Sequence, residues 1–257
     1  MTGPLGFKDR EECVQAIKLP DPRDAARKAR SAGLQATRLE APLAGVGAHA
    51  AVAGGSLVAF SPSVSAQDRQ DIYLCNLFVQ LAVRELFETG LVTDWFQEYK
   101  KQLTVYGWNA TPAPEKIDLA GGSGVAARDA IELIDKGAGP AYSQVASRAF
   151  EVLGSNSEAQ RIFERGSISG SSGVFQVLPC QQSRSGQVDL ALYHKAYTFT
   201  EETRGFLFLN TRRTISTLEE RVEQVQFKTR YYGQTYRDLI AKRMQKHLQD
   251  FFRHLEL

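Results

Sequence analysis

Three residues are of the types from which covalent chemistry could be built: Cys180, Asp189 and His194. Cys180 closes the run Val174-Phe-Gln-Val-Leu-Pro-Cys180, and His194 lies on the next β-rich stretch. An imidazole within hydrogen-bond reach of a thiol takes its proton and leaves a thiolate nucleophile. Strand parity decides whether the two can meet. Opposed residues of an antiparallel hairpin share a face, so an even loop sets Cys180 with Asp189, Ala191 and Tyr193 and turns His194 away. An odd loop or a bulge brings Cys180 and His194 to one face. Asp189 and His194 are five apart and share no face of a regular strand, so this hairpin alone does not build a Cys-His-Asp triad. The other reading of Cys180 is a small packed hydrophobe.

Other motifs fall short of their chemistry. Gly122-Ser-Gly124-Val-Ala-Ala127 satisfies a loose G-x-G-x-x-A pattern. The preceding Glu115 to Leu119 is short and charged, however, and helices rather than a βαβ unit follow, so a connector is expected. Gly166-Ser-Ile-Ser-Gly170 has Ile168 where a hydrolase elbow needs its serine. Cys13, Cys75 and Cys180 are far apart and odd in number, and with four histidines no zinc spacing arises. His247 and His254, seven apart, do not make a metal site. No metal and no disulfide scaffold are expected, which suits a reducing compartment.

The 257 residues are 43% hydrophobic and 23% charged, which excludes a disordered or fibrous chain. A formal charge of +2 gives no concentrated basic field, so no nucleic-acid partner is expected. Charges at Lys8, Asp9, Arg10, Glu11 and Glu12 interrupt any secretory leader, and no run is long enough for a transmembrane segment. Synthesis in the cytoplasm is the expectation.

The elements that must position these residues follow from periodicity. Val14 to Lys18 reads as a short strand and Asp21 to Ala32 as a helix. Ala41 to Gly55 reads as a Gly/Ala-rich connection, and Ser56 to Phe60 as a strand. Ser65 to Asp68 resembles a capping box opening a largely buried helix through Ile72, Leu74, Leu77, Phe78, Leu81 and Ala82. Thr93 or Asp94 opens a second helix with Trp95, Phe96, Tyr99 and Leu103 on one face. After a Pro/Gly-rich connector from Thr111 to Gly124 come helices over 125–136, 142–153 and 157–165. Val174 to Leu178, Val188 to Phe199 and Gly205 to Leu209 read as a meander, and a long helix starts near Ser216. The expected fold is one α/β (α+β) domain over 1–257. It has a helical N-terminal half and an antiparallel C-terminal meander backed by that long helix. Residues 1–55 form an N-terminal extension without a clear place, beside a core over 56–257.

The segments Ile72-Tyr-Leu-Cys-Asn-Leu-Phe-Val-Gln-Leu-Ala82, Asp94-Trp-Phe-Gln-Glu-Tyr99 and Leu103-Thr-Val-Tyr-Gly-Trp108, with Phe175-Gln-Val-Leu-Pro-Cys180 and the aromatic-rich C-terminal stretch, carry a resemblance. From about Ser56 onward the chain is similar to the Evf-type virulence-factor family of bacteria. That resemblance implies a compact α/β protein holding a palmitate-like fatty acid as a thioester on one buried cysteine in the C-terminal part. Here that cysteine would be Cys180. The implied partners are a fatty acyl donor and a host target, reached by release along a signal-less route. Candidates to line the acyl tunnel are Cys75, Leu77, Phe78, Leu81, Phe175, Val177, Leu190, Leu192 and Phe208. Two functions remain open: a lipid-modified factor whose acyl group is structural, or an acyltransferase or thioesterase in which acyl-Cys180 is an intermediate, with His194 as the candidate base.

Overall fold

The computed structural model describes residues 7–19, 40–45, 48–86, 95–110, 126–169, 172–199 and 215–245. Its strands are Glu40–Gly45 (β1), Ala48–Ala53 (β2), Ser56–Phe60 (β3), Trp108–Ala110 (β4), Ile168–Ser169 (β5), Ser172–Gln182 (β6), Val188–Phe199 (β7) and Ile215–Phe227 (β8). Its helices are Phe7–Ala16 (α1), Ala66–Leu86 (α2), Trp95–Val105 (α3), Ala126–Ala138 (α4), Pro140–Ser155 (α5), Ser157–Ser167 (α6) and Thr229–Thr235 (α7), with helical backbone resuming over 237–245. The class is mixed α/β. Helices dominate the N-terminal half and long strands the C-terminal part.

The strands form one sheet in the order β1-β2-β3-β6-β7-β8-β4, with β5 beside β6. All pairs are antiparallel except β3 with β6, which run parallel. Both faces of the sheet are covered. Val58, Phe60, Leu178, Cys180, Val188, Leu190, Leu192, Val225 and Phe227 belong to one apolar cluster with side chains of α1, α2, α3, α7 and the 237–245 turns. Leu57, Ala59, Phe175, Val177, Ala191 and Tyr193 belong to a second cluster with α4, α5 and α6. Alternate residues of each strand go to opposite clusters, as the pleat requires. Burial on both faces explains why β6 reads as an apolar run, interrupted only by Gln176 between Val174 and Cys180, rather than an alternating one.

Local signals account for the helices. Ser65 Oγ accepts the Asp68 backbone N–H at 3.1 Å and donates to its carboxylate at 2.7 Å, so the capping box opens α2 as expected. Trp95, Phe96, Tyr99 and Leu103 form the buried face of α3. Gly107, at φ 88°, turns the chain out of α3 into β4. The bidentate pair of Arg237 with the buried Asp71 carboxylate fastens the C-terminal helical turns to α2.

Several expectations are corrected. Val14 to Lys18 is not a strand: Val14 lies on α1, and its side chain enters the first cluster. Ala41 to Gly55 is no mere connection, since it supplies β1, β2 and the two-glycine turn Gly54-Gly55. Part of the supposed extension 1–55 is therefore built into the sheet. The long C-terminal helix does not begin near Ser216. Residues Ile215–Phe227 are β8, held to β7 along its length, and helix begins at Thr229. Tertiary partners decide this, because the charged side chains that suit a solvated helix face are paired within the fold. Lys100 of α3 binds Glu223 at 2.6 Å, and Tyr193 of the neighbouring strand donates to Glu220 at 2.5 Å. The expected helix at 21–32, the strand at 205–209, the connector at 111–124, and His247 and His254 lie outside the described residues.

Candidate functional site

The β6–β7 loop spans 183–187, an odd number of residues, and the ladder pairs on either side of Pro179 keep the same register: Cys180 opposes Leu190, and Gln176 opposes His194. Cys180 and His194 therefore share a face, the outcome that an odd loop permits. They do not meet. His194 lies four positions along β7 from Leu190, about 13 Å at the rise of a strand, and the Leu178/Leu192 layer lies between. Asp189 points to the opposite face, where its carboxylate accepts from Gln226 at 3.0 Å.

Cys180 is fully buried where β6 leaves the sheet centre. Pro179 just before it brings no backbone N–H to the ladder. The Cys180 thiol donates to the Leu178 carbonyl, 3.2 Å away. Burial pushes this thiol far above its ordinary range, so it stays protonated. Cys75, on α2 in the same cluster, is also buried and raised, mainly by burial, although it accepts a hydrogen bond from the Trp108 indole at 3.2 Å. Cys13 is exposed. Among the described residues no histidine, amine or carboxylate hydrogen-bonds Cys180.

His194 ends a separate buried polar band whose hub is Gln176. Ser56 Oγ donates to Gln176 Oε1 at 3.0 Å, Gln80 Nε2 donates to both at 2.6 Å, and Gln176 Nε2 lies 3.1 Å from His194 Nδ1. The imidazole stacks on Phe96 at 4.1 Å and on Trp95 at 6.0 Å. Burial, with Arg221 next, lowers its pKa to about 3, so it is neutral and its Glu219 contact at 3.7 Å is not ionic. Nothing in the periodicity pointed to Ser56 or Gln80. Gln176 did carry a signal: a lone amide inside a run buried on both faces needs a partner.

The expected tunnel residues are divided by the sheet. Cys75, Leu77, Phe78, Leu190 and Leu192 lie in the Cys180 cluster, with Leu81 half-buried against it. Phe175 and Val177 are corrected: their odd positions on β6 send them to the opposite cluster. Phe208 lies outside the described residues. The Cys180 side suits a hydrocarbon in composition, and Cys180 Sγ has only a carbonyl partner there. The Gln176–His194 band bounds this apolar face along β6, and the ladder neighbours of Cys180 there are Phe60 on β3 and Leu190 on β7.

No described helix is long and apolar enough to cross a membrane, and no group of three or more potential metal ligands occurs among the described residues. The fold and site define a mixed-sheet α/β protein with two enclosed thiols on one face. No family model, curated protein or solved structure matches the chain.

Proposed function

We propose that this is a lipid-modified, virulence-type factor. It holds a palmitate-like fatty acyl chain as a thioester on Cys180, between the sheet and the layer of α2, α3 and α7. The observation that carries this reading is that Cys180 is fully buried in an apolar cluster, with no base at its sulfur. Cys75, Leu77, Phe78, Leu190 and Leu192 are the residues that would enclose the chain. Each enclosed methylene contributes about 0.8 kcal/mol, on the order of 10 kcal/mol for a chain of palmitate length. Such a chain is a core element and does not anchor the protein to a bilayer.

The thioester forms by exchange: the Cys180 sulfur takes the acyl group of an activated acyl thioester, whose own thiol leaves with the proton. An enclosed, protonated thiol is a poor nucleophile, so acylation precedes closure of the helical layer. The enzymatic alternative needs repeated access to the sulfur, a base and oxyanion donors. The distance to His194 and the weak basicity of that ring, whose pKa burial lowers to about 3, weigh against it. Release along a signal-less route and a host target belong to the same proposal.

Thiol counting in denaturant tests the reading. Of three cysteines, two should titrate before neutral hydroxylamine and three after it. Three from the outset would overturn the proposal. Turnover of a labelled acyl thioester onto an amine or alcohol would instead favour the enzyme.

A further inference from the structure

Asn76 is fully buried on α2, yet its amide Nδ2 has no hydrogen-bond partner among the described residues. Its chain neighbours are described through the whole of α2, and the Tyr99 hydroxyl, donating to Asn76 Oδ1, fixes which end of the amide is left over. A buried donor left unmet costs free energy, so such an atom marks a place for an acceptor. The β3–β6 ladder locates it, pairing Ser56 with Gln176, Val58 with Leu178 and Phe60 with Cys180. A short turn over 61–65 joins Phe60 to α2, and Gln80 binds both Ser56 and Gln176, so α2 runs back along β3. Asn76 is four residues before Gln80, one turn and about 6 Å nearer the Cys180 end on the same helix face. That rise matches the two strand positions, about 7 Å, from Gln176 to Leu178. Asn76 therefore stands at the Leu178 level, one layer from the Cys180 sulfur. Burial raises the pKa of the Tyr99 hydroxyl, and Cys75 and Cys180 both lie near enough to add to that rise.

We infer that Asn76 is the carbonyl-binding residue of the acyl site, its Nδ2 donating a hydrogen bond to the carbonyl oxygen of a fatty acyl thioester on Cys180. This role rests on the thioester proposed above. The carbonyl carbon of a thioester is bonded to the sulfur, so its oxygen falls in the layer next to Cys180, where Asn76 stands. Pro179 has no N–H to offer that oxygen, and the side chains of Leu178 and Val58 are apolar. Without a donor the carbonyl would be a second unmet polar group in an apolar cluster; paired, each removes the cost of the other. The alkyl chain beyond it needs no polar contact. The ligand class that fits is an acyl ester of the thiol rather than a free fatty acid, because an amide donates to a carbonyl but brings no cation for a carboxylate.

The full chain, made by bacteria fed palmitate isotopically labelled at its carbonyl carbon and read by isotope-edited infrared spectroscopy, tests this role. A hydrogen bond weakens a C=O bond and lowers its stretching frequency. The native thioester band should therefore lie below that of Asn76→Leu, whose side chain is of similar size and has no donor. A merely structural role for Asn76 would not move this band. Equal band positions in the two labelled proteins would overturn the role of Asn76 and leave the thioester standing, whereas no label on the native chain would overturn both. If Asn76→Leu fails to fold or to take the label, Tyr99→Phe decides. Freeing Asn76 Oδ1 from its donor should broaden the band and raise its frequency, and an unchanged band there rejects the contact.

Discussion

Gln176 and His194 face each other across the β6–β7 ladder, Nε2 of one 3.1 Å from Nδ1 of the other, and both side chains are buried. This pair divides the Cys180 face into an apolar part around the sulfur and a polar band tied to Ser56 and Gln80. It also commits His194 to a structural role. The imidazole is enclosed between Phe96 and Gln176 and cannot approach the thiol.

The neutral state of His194 makes stability depend on pH. Its folded pKa lies near 3 against an ordinary 6.5, so the unfolded chain takes up the proton first. The contribution is present in full above pH 6.5 and is lost as pH falls from there toward 3, at no more than about 1.4 kcal/mol per pH unit. His194→Gln should remove this component of the slope. Urea midpoints of both proteins at pH 7 and pH 4.5 measure it, and equal slopes would reject the assignment.

The junction of α6 with the β2–β3 turn admits no side chain at Gly166. A Cβ there collides with the backbone of Gly54 and Gly55, which has no rotamer to give way. Gly166→Ala should cost about 1–3 kcal/mol or more, read as a lower denaturation midpoint. Gly186→Ala meets no neighbouring atom, though its φ of 80° still carries backbone strain, and should cost less.

On the other face, Lys195 Nζ lies 3.5 Å from Asp129 and 3.4 Å from Glu220, which also accepts the Tyr193 hydroxyl. These contacts tie α4 to the β7–β8 pair. Lys195→Met leaves two carboxylates unpaired and should cost about 3–5 kcal/mol. Adding Glu220→Gln should recover part of that loss, which a double-mutant cycle in urea detects.

The parts of this fold legible in sequence are those where one local rule acts alone. The capping box at Ser65, the α3 face of Trp95, Phe96, Tyr99 and Leu103, the three helices of 126–167, and the β6–β7 hairpin all belong there. β8 was not legible. Leu218, Val222 and Val225 fall at helical steps, and only the tertiary partners of Glu220 on β7 and of Glu223 on α3 make extended backbone the better solution. β1 and β2 hide in an Ala/Gly-rich stretch because the small side chains Ala50, Val52 and Ala53 carry little periodicity of their own. At the candidate site, the burial of Cys180 followed from its run. That it shares a face with His194 depended on loop parity, which composition does not set, and their separation on the four strand positions from Leu190 to His194. The division of Phe175 and Val177 from Leu190 and Leu192 depended on helices covering both faces of the sheet.

The central claim is a fatty acyl thioester on Cys180. Intact mass of the protein purified without reductant from a bacterial host, before and after neutral hydroxylamine, tests it most directly. The account predicts an added mass of fatty acyl size that hydroxylamine removes and that Cys180→Ser lacks, while Cys75→Ser and Cys13→Ser retain it. An unmodified native mass, or an adduct that persists in Cys180→Ser, would contradict it.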